Sequence, residues 1–197
     1  WFYLGLSSYL LARSGLGLGK VERESNLAIA LLKNLAAIAL GALLLTSWDF
    51  VLDPAMSQTA MPFWYWHQPG AFFGMPYQNF AGWMGTGAVF MTVAAIAWRI
   101  QSLHTFRLQP PQLNLPLYVY LGNFAFATVM SVAAGFWVPV ALGVVLGVVP
   151  AVGCWMLARP SAEETRQQLV EAVSGVAEGG VDGLKAAAAS VSVRSSN

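Results

Sequence analysis

Charged residues are scarce in this chain. Only 10% of its 197 residues are Asp, Glu, Lys or Arg, whereas 57% are hydrophobic and the mean hydropathy is +0.58. Soluble globular domains carry roughly 25% charged residues, so the composition excludes an ordinary soluble domain and predicts an integral membrane protein. The formal net charge of +1 gives no reason to expect a nucleic acid as a partner.

Cysteines and the familiar catalytic motifs are also scarce. The one cysteine, Cys154, lies within an apolar run, and a single cysteine cannot form an internal disulfide. The sequence contains no phosphate-binding loop, dinucleotide-binding fingerprint, nucleophile elbow or Cys-x-x-Cys pair. We therefore expect no cofactor, and the spacing of the histidines and aspartates predicts no metal site.

Five apolar runs predict an all-α fold, a polytopic transmembrane helix bundle with about five spans. The runs are Trp1–Ala12, Leu27–Trp48, Phe80–Trp98, Leu117–Phe136 and Val138–Leu157. A span needs about 20 residues, and the chain starts with Trp1 rather than Met. We therefore interpret the first run as the end of a helix in an N-terminally truncated sequence. The last two runs are separated by a break at Gly135 and Pro139 and predict a helical hairpin.

The basic residues predict the orientation of the bundle. They lie in alternate connections and after the last run: Arg13, Lys20, Arg23, Arg99, Arg107 and Arg159. Basic loops face the cytoplasm, so the connection formed by residues 47–79 is expected on the periplasmic or lumenal side. The predicted location is a bacterial plasma or thylakoid membrane, with several spans.

The composition changes at Pro160. Residues 1–159 are predicted to form the transmembrane domain, and residues 160–197 a cytoplasmic tail. Ser161 and Glu164 match a capping box, so a short amphipathic helix is expected as far as about Ala177. The Gly, Ala, Ser and Val residues that follow predict disorder.

Two acidic residues stand out in segment 47–83, which contains no Lys or Arg. Asp49 and Asp53 share a helix face if the helix that starts at Leu27 continues. Pro54 disfavours helical angles at Asp53, so the helix is predicted to end there. A carboxylate beside an apolar span is costly to bury as an anion, which favours a protonated general acid. The alternative is that Asp53 caps a turn and Asp49 lies among hydrated headgroups.

Aromatic residues crowd the same segment. They can form an ordinary interfacial belt, or line a pocket for a long hydrophobic molecule and stabilise a cation through their ring faces. Two acids beside so many rings favour the pocket. The candidate substrate contacts are Trp48, Trp64, Tyr65, Trp66, Phe73, Tyr77, Asn79 and Trp83. His67 is a candidate proton carrier, or else an interface residue.

Three strings in this segment resemble a known family. WDFVLDP (residues 48–54), WYW (64–66) and GAFFGMPYQNFAGW (70–83) are similar to the bacterial and archaeal carotenoid biosynthesis membrane proteins, the CruF-type carotenoid hydratases. The resemblance covers about residues 27–157. It implies hydration of the terminal C1–C2 double bond of an acyclic end group, as in γ-carotene or bisanhydrobacterioruberin, to a tertiary alcohol. The implied partners are a carotenoid substrate, the lipid bilayer and other enzymes of the carotenoid pathway.

The residues suit that chemistry. Hydration of such an alkene needs an acid that protonates the less substituted carbon, a site that stabilises the tertiary cation, and a base for water. We hypothesise that Asp53 or Asp49 is the acid and that the other carboxylate or His67 activates water. Asn79 is a candidate for orienting that water.

Other functions also fit these residues. A non-catalytic membrane protein that binds or hands over a carotenoid or isoprenoid would tolerate the loss of both aspartates. A related isoprenoid lyase or isomerase could use the same acid. A transporter is disfavoured, because the spans contain almost no ionisable residue beyond Lys33.

Overall fold

The computed structural model describes residues 1–18, 27–100 and 110–159, and the single residues 166, 170 and 173. These residues form an all-α bundle, which confirms the predicted fold class. The helices are α1 (Phe2–Gly15), α2 (Leu27–Ser57), α3 (Tyr77–Ile100), α4 (Asn114–Ala133), α5 (Trp137–Gly143) and α6 (Val149–Leu157). A 3₁₀ turn, Pro110–Leu113, precedes α4, and the π-helical segment Val144–Val148 joins α5 to α6.

Four segments of the described chain are long and apolar enough to cross a membrane. They are Leu27–Ser57, Tyr77–Arg99, Pro111–Ala133 and Trp137–Leu157. Large apolar side chains such as Val93, Ile96 and Val129 are exposed on their outer surfaces, as expected for helices that face lipid. The chain is therefore built as a multi-pass membrane protein, and the identity of the membrane stays a prediction.

Contacts between helices show that neighbouring helices in the chain alternate in direction. Tyr120 of α4 bonds to Leu44 of α2, and Ser131 of α4 bonds to the carbonyl of Val51, so α2 and α4 run the same way. The end of α1 meets α6, because a Cβ on Gly15 would lie 2.6 Å from the Cα of Cys154. With α1 included, five helical segments of the described chain alternate in direction, but α1 has only 14 residues and is not among the four segments long enough to cross a membrane.

The second helix is longer than the sequence predicts. The prediction that it ends at Asp53 is wrong, because α2 continues through Pro54 to Ser57. Proline lacks the N–H that would bond one turn back. The turn is completed by other bonds: the Ser57 hydroxyl donates to the Asp53 carbonyl at 2.8 Å, and the Gln58 N–H donates to the Pro54 carbonyl at 3.0 Å. Asp49 and Asp53 therefore lie one turn apart on one face of a continuous helix.

The predicted break between the last two runs lies at Gly135. This residue has φ of +84°, a conformation that glycine adopts without steric cost. Pro139 does not break the chain, because it lies in the first turn of α5, where a backbone N–H has no intrahelical partner.

Two glycines let the last span pack closely on α2 and α4. Gly143 and Gly147 form a G-x-x-x-G pattern, which brings membrane helices into close contact. A Cβ on Gly147 would lie 2.6 Å from the Tyr120 hydroxyl oxygen and would also overlap the Ser47 hydroxyl. Those two hydroxyls lie 3.1 Å apart, and the Tyr120 hydroxyl also donates to the Leu44 carbonyl at 2.9 Å, so the buried polar groups are paired.

We expect Gly147→Ala to destabilise the bundle by about 1–3 kcal/mol, the usual cost of overpacking a tight core. Gly153→Ala is the matched control, because its Cβ would meet no atom within 4 Å. Thermal unfolding in detergent measures both variants. A Gly147→Ala protein that unfolds at the temperature of the control would contradict this packing.

Arginines and indoles meet at one end of the bundle. The guanidinium of Arg13 lies 5.4 Å from the ring centroid of Trp98, and that of Arg159 lies 3.5 Å from the ring centroid of Trp155. This is the end that the sequence predicts to face the cytoplasm, and that assignment stays a prediction. Three other basic residues of that prediction lie outside the described residues: Lys20, Arg23 and Arg107.

The predicted tail helix, Ser161 to about Ala177, lies almost entirely outside the described residues. Arg166, Val170 and Val173 are described, and each is helical and exposed. The predicted disorder after Gly179, and the division of the chain at residue 160, stay predictions.

Candidate functional site

A loop rich in aromatic residues covers the end of the bundle opposite the arginines. This aromatic loop, residues 58–76, connects α2 to α3. It turns back at once, because the Phe63 N–H donates to the Met56 carbonyl at 2.9 Å. A tight turn follows, closed by the Gly70 N–H on the Gly74 carbonyl at 2.8 Å. The loop is therefore held against the end of α2, where the two aspartates lie.

Asp53 is bound by two indoles of this loop. Its side chain is 1% exposed. The Trp64 Nε1–H donates to Oδ1 at 2.7 Å, and the Trp66 Nε1–H donates to Oδ2 at 3.3 Å. An indole can only donate, so both carboxylate oxygens act as acceptors, which suits the anion. Asp53 therefore fastens the aromatic loop to α2.

We expect Trp64→Phe to loosen the aromatic loop, because it removes the shorter of these two bonds. A hydrogen bond to a charged group contributes about 1.5–3 kcal/mol. Hydrogen exchange of the amides in residues 58–76 should become faster. Tyr65→Phe is the control. Tyr65 is 71% exposed, so this substitution should leave hydrogen exchange unchanged. Equal exchange in the two variants would contradict the role of the Trp64 indole.

Asp49 has a different partner. Its side chain is 3% exposed, and its Oδ2 accepts a hydrogen bond from Asn79 Nδ2 at 2.7 Å. The second proton of that amide points to Met75 Sδ at 2.8 Å. Among the described residues nothing donates to Asp49 Oδ1, which leaves this oxygen free to carry a proton. The carbonyl oxygen of Asn79 likewise has no donor in the described part of the chain and can accept from water.

Asn79 also lines an open groove of about 190 Å³. The other lining residues are Trp1, Gly82, Trp83 and Thr86. Four of the five belong to α3 at spacings of three and four residues, which places them on one helix face. The groove thus lies between the start of α1 and the first three turns of α3.

Indole rings pack around this groove. The ring centroid of Trp83 lies 5.8 Å from that of Trp1 and 5.8 Å from that of Trp48. The Trp48 Nε1–H donates to the Asn123 carbonyl of α4 at 3.1 Å, which fixes the orientation of that ring. The groove therefore has aromatic walls and one amide, and the amide connects it to Asp49.

The structure separates the remaining predicted site residues from the acids. His67 is exposed, and its ring meets the edge of Tyr65 at 5.4 Å; no described hydrogen bond joins it to either aspartate. Phe73, at the tip of the tight turn with φ of +45°, packs on Phe136 at 5.9 Å. Tyr77 is 64% exposed. The outer surface of the aromatic loop and its junction with α3 are therefore formed by Tyr65, His67, Phe73 and Tyr77.

Sequence reasoning missed three residues of the groove. Helical periodicity could have identified Gly82 and Thr86, because they lie three and seven residues after Asn79 and therefore on the same helix face. Trp1 has no such signal, since it comes from another helix. No group of three or more His, Cys, Asp or Glu side chains is placed to hold a metal ion in the described part of the chain.

Comparisons with known proteins agree with the resemblance seen in the sequence. The protein family described as "Carotenoid biosynthesis protein" matches residues 1–150. The chain is 37% identical over 89 residues to the bisanhydrobacterioruberin hydratase of Haloarcula japonica, an alignment that covers 45% of this chain and 26% of that relative. No solved structure matches the chain. The matched region contains the aspartates, the aromatic loop and the groove, and it covers more than half of the chain, so this chain belongs to the carotenoid biosynthesis protein family.

Proposed function

We propose that this chain carries the site of a carotenoid hydratase, which adds water across the terminal C1–C2 double bond of an acyclic end group. Family membership and the name of the Haloarcula japonica relative support a carotenoid as the substrate. One observation carries the proposal: the Asn79 amide joins the buried carboxyl of Asp49 to a groove with indole walls.

The reaction needs no group beyond those present at the site and a water molecule. A carboxyl group gives its proton to C2, and the electron pair of the double bond forms the new C–H bond. The positive charge that this leaves on the tertiary carbon C1 is stabilised by indole faces. Water then bonds to C1 through its oxygen and returns a proton to the carboxylate. The sum is the addition of one water, and the acid is regenerated.

The acid next to the groove favours catalysis over simple binding. Asp53 has a structural use, because it holds the aromatic loop against α2. A protein that only binds or hands over an apolar carotenoid has no such use for the Asp49 carboxyl group, which is costly to bury at membrane depth. Asp49 and Asp53 are both almost fully buried. Each is held by side chains from the aromatic loop or α3, so the pair is built into the site.

Pigment analysis in a producing bacterium tests the proposed function. The full-length protein is expressed in a strain that accumulates lycopene or γ-carotene, and the extracted pigments are examined by mass spectrometry. We expect a product heavier by one water, absent from the strain without the protein. Unchanged pigments, with the protein inserted in the membrane, would contradict hydration and favour binding or hand-over.

A further inference from the structure

The groove beside Asn79 has a volume that suits a small apolar ligand. An engineered cavity of about 150 Å³ holds benzene, and this groove has about 190 Å³. It extends along α3 from Asn79 to Thr86, and seven helical residues rise about 10 Å. A five-carbon isoprene unit has fewer carbon atoms than benzene, so the groove has room for a unit of this size.

The groove is kept open by the absence of a side chain at Gly82. A Cβ on Gly82 would meet no atom within 4 Å, so the space beside this residue is empty rather than filled by a neighbour. The walls are the rings of Trp1 and Trp83. Flat apolar walls of this kind pack well against an unsaturated hydrocarbon.

The surroundings of the groove indicate how a ligand reaches it. Helix α3 is long and apolar enough to cross a membrane, and the face beyond the groove remains exposed at Val89, Val93 and Ile96. A molecule dissolved in the bilayer can therefore lie along α3 with its end in the groove. A water-soluble ligand would meet no charged side chain among the lining residues.

We propose that the groove formed by Trp1, Asn79, Gly82, Trp83 and Thr86 binds the terminal isoprene unit of a linear carotenoid. The chain of the ligand lies along the exposed face of α3, and its terminal double bond lies next to Asn79. The identity of the ligand rests on the proposed function, whereas the location of the site rests on the groove itself.

This placement gives the two aspartates different tasks. Asp49 is the acid, because it is joined to the groove through Asn79 and has one oxygen without a donor in the described structure. Asp53 is a positioning residue, because both of its oxygens accept from the aromatic loop. Asn79 holds Asp49 through one amide proton, which it donates to Asp49 Oδ2, and offers its carbonyl oxygen to the water that attacks C1.

Filling the groove tests the site. Gly82→Leu places a side chain in the empty space, and Gly122→Leu on α4 is the matched control, since its Cβ also meets no atom within 4 Å. The full-length variants are purified in detergent with lycopene. Two quantities are measured: the rate of water addition, and the total pigment, lycopene plus product, retained per protein.

We expect Gly82→Leu to lower both quantities at least about tenfold, since even one methylene of misfit in an apolar pocket costs about 10-fold to 200-fold. Gly122→Leu should match the unsubstituted protein. Gly82→Ala adds one carbon to the groove and should give an intermediate loss, so the test does not depend on the folding of the leucine variant.

The outcomes separate the two proposals. If Gly82→Leu hydrates and retains lycopene as the control does, the groove is not the binding site, and the proposed function stands. If no protein hydrates lycopene but only the Gly82 variants lose bound pigment, the groove stands and hydration is wrong. If all the proteins retain pigment equally and none hydrates it, both proposals are wrong.

Discussion

Asp49→Asn is expected to abolish hydration of the carotenoid end group and to leave the protein folded in the membrane. The substitution preserves the shape of the side chain, and its carbonyl oxygen can still accept from Asn79 at the position of Asp49 Oδ2. An amide cannot deliver the proton that C2 requires. General acid catalysis contributes about 10²-fold to 10⁴-fold, so turnover should fall by that factor.

Mass spectrometry of the extracted pigments measures this loss. The variant and the unsubstituted protein are compared at equal amounts of protein in the membrane. Hydrogen exchange in residues 58–76 should not change, because Asp49 makes no described bond to the indoles of the aromatic loop. Pigment should still be retained, since the groove is intact. Turnover within tenfold of the unsubstituted protein would remove Asp49 from the role of acid.

Asp53→Asn is expected to lower turnover about 10²-fold through a different cause. The two indoles of Trp64 and Trp66 donate to the two carboxylate oxygens, whereas an amide has one acceptor oxygen and one nitrogen that only donates. One indole then loses its acceptor and faces another donor. The aromatic loop should shift, and a displacement of about 1 Å near reacting groups can cost 10²-fold in rate.

Hydrogen exchange of the aromatic loop distinguishes the two aspartate variants. Asp53→Asn should speed hydrogen exchange in residues 58–76, and Asp49→Asn should not. Combining Asp53→Asn with Trp64→Phe should cost less than the sum of the two single changes, because without the Trp64 indole the one remaining acceptor oxygen can serve Trp66. Abolished turnover in Asp53→Asn with unchanged exchange would instead make Asp53 the acid.

These expectations depend on an extension of α2 that local rules disfavour. The residue before a proline is biased away from helical angles, and this bias led to the prediction that the helix ends at Asp53. In the structure the hydroxyl of Ser57 and the packing of the aromatic loop support the extra turn. Because Asp53 lies inside the helix, its carboxyl group is one turn from that of Asp49 on the same face.

The chemistry of the site was partly readable from residue types. The sequence predicts that Asp49, Asp53, Asn79 and several tryptophans form one site. A segment between apolar runs that contains acids and aromatic rings but no basic residue is unusual. The sequence could not assign partners. Asn79 is 30 residues from Asp49, and Trp64 and Trp66 are 11 and 13 residues from Asp53, so the path of the aromatic loop decides which donor reaches which acid.

His67 shows the limit of the same reasoning. Its neighbours in sequence are aromatic and an imidazole can carry a proton, so the sequence makes it a candidate for activating water. The structure places it on the exposed side of the aromatic loop, against Tyr65. Residue type is visible in a sequence, but the direction in which a loop presents each side chain is not.

The amino-acid sequence is enough to predict a helical membrane protein, because runs of about 20 apolar residues can satisfy their backbone groups in lipid only as helices. It is also enough to locate the acids and rings in one segment, since composition is local. Three contacts are visible only in the folded bundle: Asn79 joins Asp49 to a groove, two indoles hold Asp53, and Trp1 faces Trp83. Those contacts join separate helices and a loop, and they exist only once the packing of the whole bundle brings the elements together.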